Sequence, residues 1–467
     1  MVMAQALGRD PGAVLVIGGG VGGMRAAMDL AEAGIRCYLV EETPSLGGRV
    51  AQLGFMFPTH DCVLCRGSAD HGYGCTRPAI APAFLDRNRH PNITVMTNTE
   101  VAGVLGQAGD FTVTLTHNPR YVNSERCTNC GLCNDVCPVN IPSTFQMGLT
   151  MQKAIYKPAP RSIPDAYVVQ RGEYCNDCKK CAAICPTQAI NLDEQPTSEE
   201  IQVGAIILAL GYQPFSPVHL EEYGFGRYAN VLTSMQFERY VSRSGPTEGV
   251  IVRPSDGRKP HRIAWLQCIG SRDQEHPYCS SICCMFATKE AMLAKQRLPD
   301  VYCQVFMMDE RAFNKEYNAY WMRAQEQYDV QYTRCRISML REVTETKNLV
   351  LRYQSEDGTP KEEEFDLVIL SVGTRPPNDA DALSRKQAST SVAPSPRPRR
   401  LPRPSSKPAA PPARPCAYCV TAWVGYPLIA PILSSRATAS RRNGTLLTSH
   451  RARASSSAAV AAASAIR

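Results

Sequence analysis

No apolar run in this sequence comes near the roughly 18–20 residues that span a bilayer. The longest, around Ala205 to Gly211, is far shorter, so no transmembrane segment is expected. The opening stretch, MVMAQALGRDPGAV, has no charged lead into an apolar core, and a secretory leader is not expected. Acid is almost missing from one region: of 43 Asp and Glu, only Asp381 lies in residues 381–467, beside 14 Lys and Arg. The rest of the chain then holds 37 basic against 42 acidic residues, so the formal charge of +8 belongs to the tail. A basic groove built into the fold, and with it a nucleic-acid partner, is not expected. Ser-His-Asp, zincin and paired-carboxylate arrangements are also missing, which leaves no hydrolytic chemistry to argue for.

Cysteine is abundant instead: 18 of the 20 lie at or before Cys335, many two or three residues apart. Neighbouring Cys-x-x-Cys runs suit metal better than a long disulfide framework, and a reducing cytoplasm is the expected compartment. Cys127, Cys130, Cys133 and Cys137, followed by Pro138, form a complete bacterial-type ferredoxin run; Cys175, Cys178, Cys181 and Cys185, followed by Pro186, form a second. In two-cluster ferredoxins the fourth cysteine of each run serves the other cluster. One [4Fe–4S] cluster is therefore expected on Cys127, Cys130, Cys133 and Cys185, the other on Cys175, Cys178, Cys181 and Cys137. Zinc normally takes two well-separated Cys-x-x-Cys pairs and fits the spacing worse. Between the runs, Ile155 to Val169 is punctuated by proline and reads as a surface loop.

The other cysteines are less regular. Cys268 ends an apolar strand, and Cys279, Cys283 and Cys284 follow it; a helix beginning near Ser280 would put the last two in its first turn, where the dipole favours thiolate. Spacing alone leaves a further cluster and buried inert thiols equally open. Cys62, Cys65 and Cys75, near His60 and His71, read as a structural or auxiliary set. Cys37, Cys303 and Cys335 read as core, and Cys416 and Cys419 are discounted with the tail.

Ala13 to Ile17 reads as a buried strand that feeds Gly18, Gly20, Gly22 and Gly23, satisfying G-x-G-x-x-G at Gly18, Gly20 and Gly23. A helix from Met24 to about Ala33 follows, with Gly34 as its stop, and then a strand from Cys37 to Val40 that ends in Glu41-Glu42. The glycines allow close approach of a pyrophosphate, the helix N-terminus stabilises its charge, and the acid accepts from ribose hydroxyls. The continuation Leu46, Gly47, Gly48, Arg49 resembles the second glycine turn of two-dinucleotide-domain flavoproteins, which favours FAD over NAD. Residues 262–330 repeat the strand-helix-strand rhythm (Arg262–Leu266, Ser281–Gln296, Val301–Met307). The turn Gln267 to Ser271 lacks G-x-G-x-x-G, however, and a pyridine nucleotide is not supported there.

Taken together these runs resemble the A subunit of heterodisulfide reductase, the flavin-bearing subunit of electron-bifurcating complexes. The resemblance covers roughly Ala13 to Asp379. It rests on Val14 to Gly23, Leu46 to Arg49, Pro58 to Cys62, Pro119 to Val122 leading into the first ferredoxin run, Cys268 to Asp273, Tyr278 to Met285 with Lys289, and Ser371 to Pro376. It implies an α/β, thioredoxin-reductase-like FAD/NAD(P)-binding (Rossmann-type) fold with an inserted α+β two-cluster ferredoxin domain. The expected layout is 12–120 for the first part of the FAD domain, 121–195 for the insert, 196–379 for the continuation carrying a third cluster, and 380–467 for the tail.

The resemblance further implies a third [4Fe–4S] cluster on Cys268, Cys279, Cys283 and Cys284. It adds Gly211 and Gly373 to the flavin-binding glycines. Lys289 becomes a candidate catalytic residue, approaching the flavin N5 edge; otherwise it is a solvated helix lysine. The implied partners are other subunits of a heterodisulfide reductase-like complex and a ferredoxin or similar carrier. Two alternatives stand beside this: a simpler NAD(P)H- or disulfide-linked FAD oxidoreductase, and a non-catalytic electron-transfer subunit. The chain departs from the family at Leu210, where threonine is usual, and past Asp379, where a closing strand, loop and helix are expected. The tail reads as a shift of reading frame near residue 380 or as a disordered basic segment.

Overall fold

The computed structural model describes residues 12–57, 90–377 (apart from 173, 176, 314 and 315) and 380. Cys62, Cys65, Cys75, Cys416, Cys419 and the 381–467 tail lie outside the described residues. Among the described residues the chain divides into two compact units, one holding 12–52 with 90–212, the other holding 53–57 with 213–375.

In the first unit four parallel strands lie in the order Ala205–Leu208, Val14–Ile17, Cys37–Glu41, Ile93–Thr97. Side chains alternate across a strand, and here both faces are covered. Leu15 and Ile17 join Tyr38 and Val40 on one face, against Val113, Leu115 and Ile201 of a three-stranded antiparallel sheet (Thr99–Gln107, Asp110–His117, Thr197–Val203). Val14 and Val16 face the other way, onto Met24, Ala27 and Leu30 of the helix Val21–Glu32. Burial on both faces is why the first strand reads as an unbroken apolar run.

That helix starts at Val21, before the expected Met24, and so includes Gly22 and Gly23. Glycine has poor helix propensity, which hides the first turn from a sequence reading. Gly34 ends the helix as expected, at φ +83°.

The ferredoxin insert carries two short helices, Leu132–Asp135 and Lys180–Ile184, and a bridge joins Val122 to Ile190. Its small core gathers Val122, Cys133, Ile155, Val169, Ala189 and Leu192. The expectation of a surface loop over Ile155 to Val169 is wrong. Ile155 pairs with Val169, Ala166 is fully buried, and Ile163 packs beneath the helix Val21–Glu32. The prolines suggested exposure, but apolar residues between them anchor the segment.

The second unit repeats the first. Its parallel sheet runs Val231–Thr233, Leu367–Val372, Arg262–Ile269, Tyr302–Met307, Gln331–Arg334. The helix Cys283–Arg297 follows the central strand, and a three-stranded antiparallel sheet (Ile337–Glu342, Leu349–Gln354, Pro360–Phe365) packs through Leu349, Leu351 and Phe365 onto Leu266 and Leu370. The two return strands, Ala205–Leu208 and Leu367–Val372, take the same place beside their central strands. An α/β flavoprotein-type fold with a ferredoxin-type insert is thus the fold observed.

Candidate functional site

The glycine turn sits at the C-terminal edge of the first sheet, where the strand order reverses and α/β sheets open a crevice for ligands. A Cβ on Gly18 would lie 2.2 Å from the Ala209 carbonyl oxygen, and one on Gly23 1.8 Å from that of Gly18. A Cβ on Gly20 would meet nothing within 4 Å, so its bare backbone faces open space. Gly18, Gly47, Gly48 and Gly211 have φ of +107°, +124°, +55° and +72°, where side chains are strained. Gly47 N–H donates to the Gly19 carbonyl at 2.9 Å, which joins the second glycine turn to the first. Arg49, half-buried, opens the short helical turn Gly48–Gln52. Glu41 is buried; one oxygen accepts from Gly19 N–H at 2.6 Å and the other from Thr43, while Glu42 is exposed. These features fit a dinucleotide: an open glycine backbone, a helix N-terminus with no side-chain cap, and a fixed carboxylate.

The two ferredoxin runs repeat at backbone level. Asn129 and Gly131 in the first, and Asp177 and Lys179 in the second, are all left-handed, and each pair leads into a short helix. A small cavity is lined by Cys127, Cys130, Cys133 and Cys185, three thiols from one run and the fourth from the other. Burial pushes the Cys181 thiol up, and Cys137, Cys175 and Cys178 act in the same direction.

Burial, then the neighbouring Cys127 thiol, pushes Cys133 up to about 12. At Cys185 burial acts upward, but donors outweigh it, led by Ala189 N–H at 3.3 Å, and the net shift is downward. Bound metal removes thiol protons outright. Among the described residues no three His, Cys, Asp or Glu side chains converge as ligands of a single ion would.

In the second unit the matching turn carries cysteine. Cys268, Gly270, Arg272 and Ser281 are left-handed, and the helix starts at Cys283, so Cys283 and Cys284 do occupy its first turn. Cys283 is raised well above the usual thiol range by burial, with Cys284, Cys268 and Cys279 acting in the same direction. Ser281 N–H donates to Cys279 Sγ at 3.3 Å, and Asp309 holds Arg272 and Arg311 beside the group. Gly373 also lies here: its Cβ would stand 2.8 Å from the Gly270 carbonyl oxygen, and its N–H donates to the Ile269 carbonyl. It is the counterpart of Gly211 and is placed with the cysteine turn. Burial takes the Cys37, Cys303 and Cys335 thiols up to about 12, which keeps them protonated.

Lys289 is not a solvated helix lysine. It is fully buried, with Nζ 2.6 Å from Glu238 Oε1 and donating to the Phe55 carbonyl at 2.9 Å. Glu238 also accepts from Gly54 N–H at 3.0 Å. Its helix, Ser234–Val241, begins with a capping box between Thr233 and Gln236. Glu290 accepts from Trp265 Nε1 at 2.9 Å, and burial followed by Glu238 holds its carboxyl well above the usual range. These two acids escaped sequence reasoning, because nothing in Phe237-Glu238-Arg239 marks a buried carboxylate.

A flavin-type glycine turn beside a crossed pair of ferredoxin loops defines an iron–sulfur flavoprotein. Residues 13–53 match an FAD binding domain and residues 126–190 a 4Fe-4S dicluster domain. More narrowly, over most of its described length the chain is similar to the A subunits of heterodisulfide reductases. It is 46% identical over 387 residues to the second iron-sulfur A subunit of the CoB–CoM heterodisulfide reductase of Methanopyrus kandleri, covering 82% of this chain and 56% of the relative. To the A subunit of the H(2):CoB-CoM heterodisulfide,ferredoxin reductase of Methanothermobacter marburgensis it is 41% identical, covering 79% and 54%. The chain spans about half the length of these relatives.

Thioredoxin reductases of T. acidophilum and Lactococcus lactis overlay at TM-scores of 0.36 and 0.37 with 12% identity, covering 79% of this chain and 78% and 80% of theirs. At such scores the fold rests on the strand orders above. No helix among the described residues is long and apolar enough to cross a membrane.

Proposed function

We propose that this chain passes electrons between FAD and [4Fe–4S] clusters as the flavin-bearing, electron-bifurcating subunit of a heterodisulfide reductase-like complex in a reducing cytoplasm. The observation that carries this reading is the wall shared by Cys127, Cys130, Cys133 and Cys185, in the same compact unit as the glycine turn. Two clusters belong to the insert, and a third to Cys268, Cys279, Cys283 and Cys284. FAD, when bound, exchanges two-electron for one-electron chemistry. The chain's part is to hold it: Gly18, Gly20, Gly22, Gly23, Gly47, Gly48 and Gly211 give backbone access, Glu41 with Glu42 receives the ribose, and Arg49 offsets phosphate charge. Lys289, held by Glu238, is the residue proposed to face the flavin edge, and Gly373 lets the return strand pack against the third cluster's turn. The partners are other subunits of such a complex and a ferredoxin-type carrier.

Anaerobic purification with iron, sulfide and flavin analysis tests this. About twelve irons and one FAD per chain are expected from three four-iron clusters. About eight irons would remove the third cluster, and reduction of the isolated chain by NADH would favour a simpler pyridine-nucleotide-linked flavoprotein. Clusters without flavin would point to a protein of electron transfer only.

A further inference from the structure

The two ferredoxin runs share their ligand spacing and their backbone but not their surface. Gly131 in the first run and Lys179 in the second stand at the same position, directly after the second cysteine, and both are left-handed, at φ +85° and +56°. Glycine enters that region freely, whereas a lysine there is strained. The turn itself does not call for a side chain, since glycine makes it in the first run. The next position repeats the contrast, with Leu132 in the first run and Lys180 in the second. Strain borne for a charge that the fold does not need points to a use for that charge.

Both lysines are exposed, and among the described residues neither is in an ion pair. Asp177, the acid of that run, is taken by Arg171 Nη2 at 2.9 Å. Lys180 and Ile184 lie four residues apart on the helix Lys180–Ile184 and so share a face, and Ile184 is 42% exposed. Cys178, immediately before Lys179, is an exposed thiol. The first run has an exposed thiol of its own, Cys130, but between Cys127 and Cys137 it holds an exposed Asp135 and no Lys or Arg. Each run thus brings one thiol to the surface, and the second follows it with two unpaired cations and an apolar side chain. An apolar contact rimmed by charge of one sign suits a transient encounter with a protein of the opposite sign.

We propose that Cys178, Lys179, Lys180 and Ile184 form the docking surface for the electron carrier, a small redox protein whose own centre is ringed by acidic residues. This rests on the two-cluster reading above and names the port, the run from Cys175 to Cys185 rather than the run from Cys127 to Cys137. The lysines raise the rate of encounter with such a carrier and turn its acidic face toward Cys178. One electron then leaves the reduced cluster and reduces the carrier by one electron, with no bond made or broken and no proton moved; in the test dithionite supplies that electron.

The probe is an acidic two-cluster ferredoxin, offered to the anaerobically purified full chain, with iron and sulfide measured on the same samples. Binding is followed by calorimetry with both proteins oxidised, and electron transfer by stopped flow after the chain has been reduced and freed of dithionite. Both are measured at about 0.01 M and about 1 M salt, where the Debye length is ~30 Å and ~3 Å. Lys179→Glu combined with Lys180→Glu should weaken binding and slow transfer about tenfold at low salt, and the difference should vanish at high salt. A change of cluster potential would persist there. Leu132→Glu, at the matching position of the first run, should alter neither quantity. The proposal is overturned by a wild type that does not bind at low salt, by a double variant that binds as wild type does, by a deficit that survives high salt, or by an equal loss in Leu132→Glu. A wild-type chain without dicluster iron instead sinks the two-cluster reading. If the double variant does not hold its iron, Lys179→Gly decides, because glycine relieves the left-handed residue. Iron retained with weaker low-salt binding supports the docking surface, and any other result overturns it.

Discussion

The two units share one topology and differ in the turn it presents. In each, a central parallel strand runs into a turn and then a helix, with a return strand alongside. In the first unit the turn is built of glycine, and the backbone at Gly20 is left bare. In the second it is longer, bends through left-handed Cys268, Arg272 and Ser281, and delivers Cys283 and Cys284 at the helix start. The strand and helix supply a directed N-terminal dipole in both cases. What differs is whether the turn leaves bare backbone open or carries thiol side chains of its own. The position in the sheet is general; the residues in the turn differ.

The comparison breaks most severely at Gly23. Gly23→Val would push a side chain into the Gly18 carbonyl oxygen, which a Cβ alone would approach to 1.8 Å. We expect flavin to be lost, at a cost of ~2–3 kcal/mol from overpacking, read by flavin per chain and by urea unfolding. Flavin retained at wild-type affinity would show that the close contact does not matter.

On the other side, Cys283→Ser should remove about four irons per chain and leave flavin in place, while Cys303→Ser, a buried thiol outside the turn, leaves iron unchanged. Equal iron in all three proteins would reduce the second turn to inert core.

The smallest effect concerns the buried acids behind that turn. Glu290 keeps its proton in the folded chain at a pH where the unfolded chain has lost it. A raised carboxyl pKa gives stability that is complete below the unfolded value and is lost as pH rises toward the folded one. Stability should therefore fall above the ordinary carboxylate range, by up to about 1.4 kcal/mol per pH unit for one proton. Glu290→Gln should flatten that slope, as followed by urea midpoints from acid to neutral pH. An unchanged slope would place the proton elsewhere.

Much of this was legible because the informative features are local. Thiol spacing within a run is nearly a covalent constraint, and strand, glycine turn and acid follow one another without interruption. Lys289 shows the opposite case. Its sequence neighbourhood fits an exposed helix, yet Glu238, 51 positions earlier, and the carbonyl of Phe55 enclose it. Likewise Ile155 to Val169 looked exposed because proline is a turn signal, whereas the anchor, Ile163, faces a helix more than a hundred residues away in sequence.

The sequence by itself determined the cofactor-type motifs and the unbroken apolar run that buries both faces of the first strand. It also determined that the excess charge lies in the tail, outside the redox motifs. Only the tertiary structure decided which thiols share a wall, that Gly373 serves the cysteine turn, and that Lys289 is buried beside Glu238. The physical reason is range. Backbone conformation and ligand spacing are set by neighbours along the chain, but the partner of a buried charge is set by where distant segments are brought together.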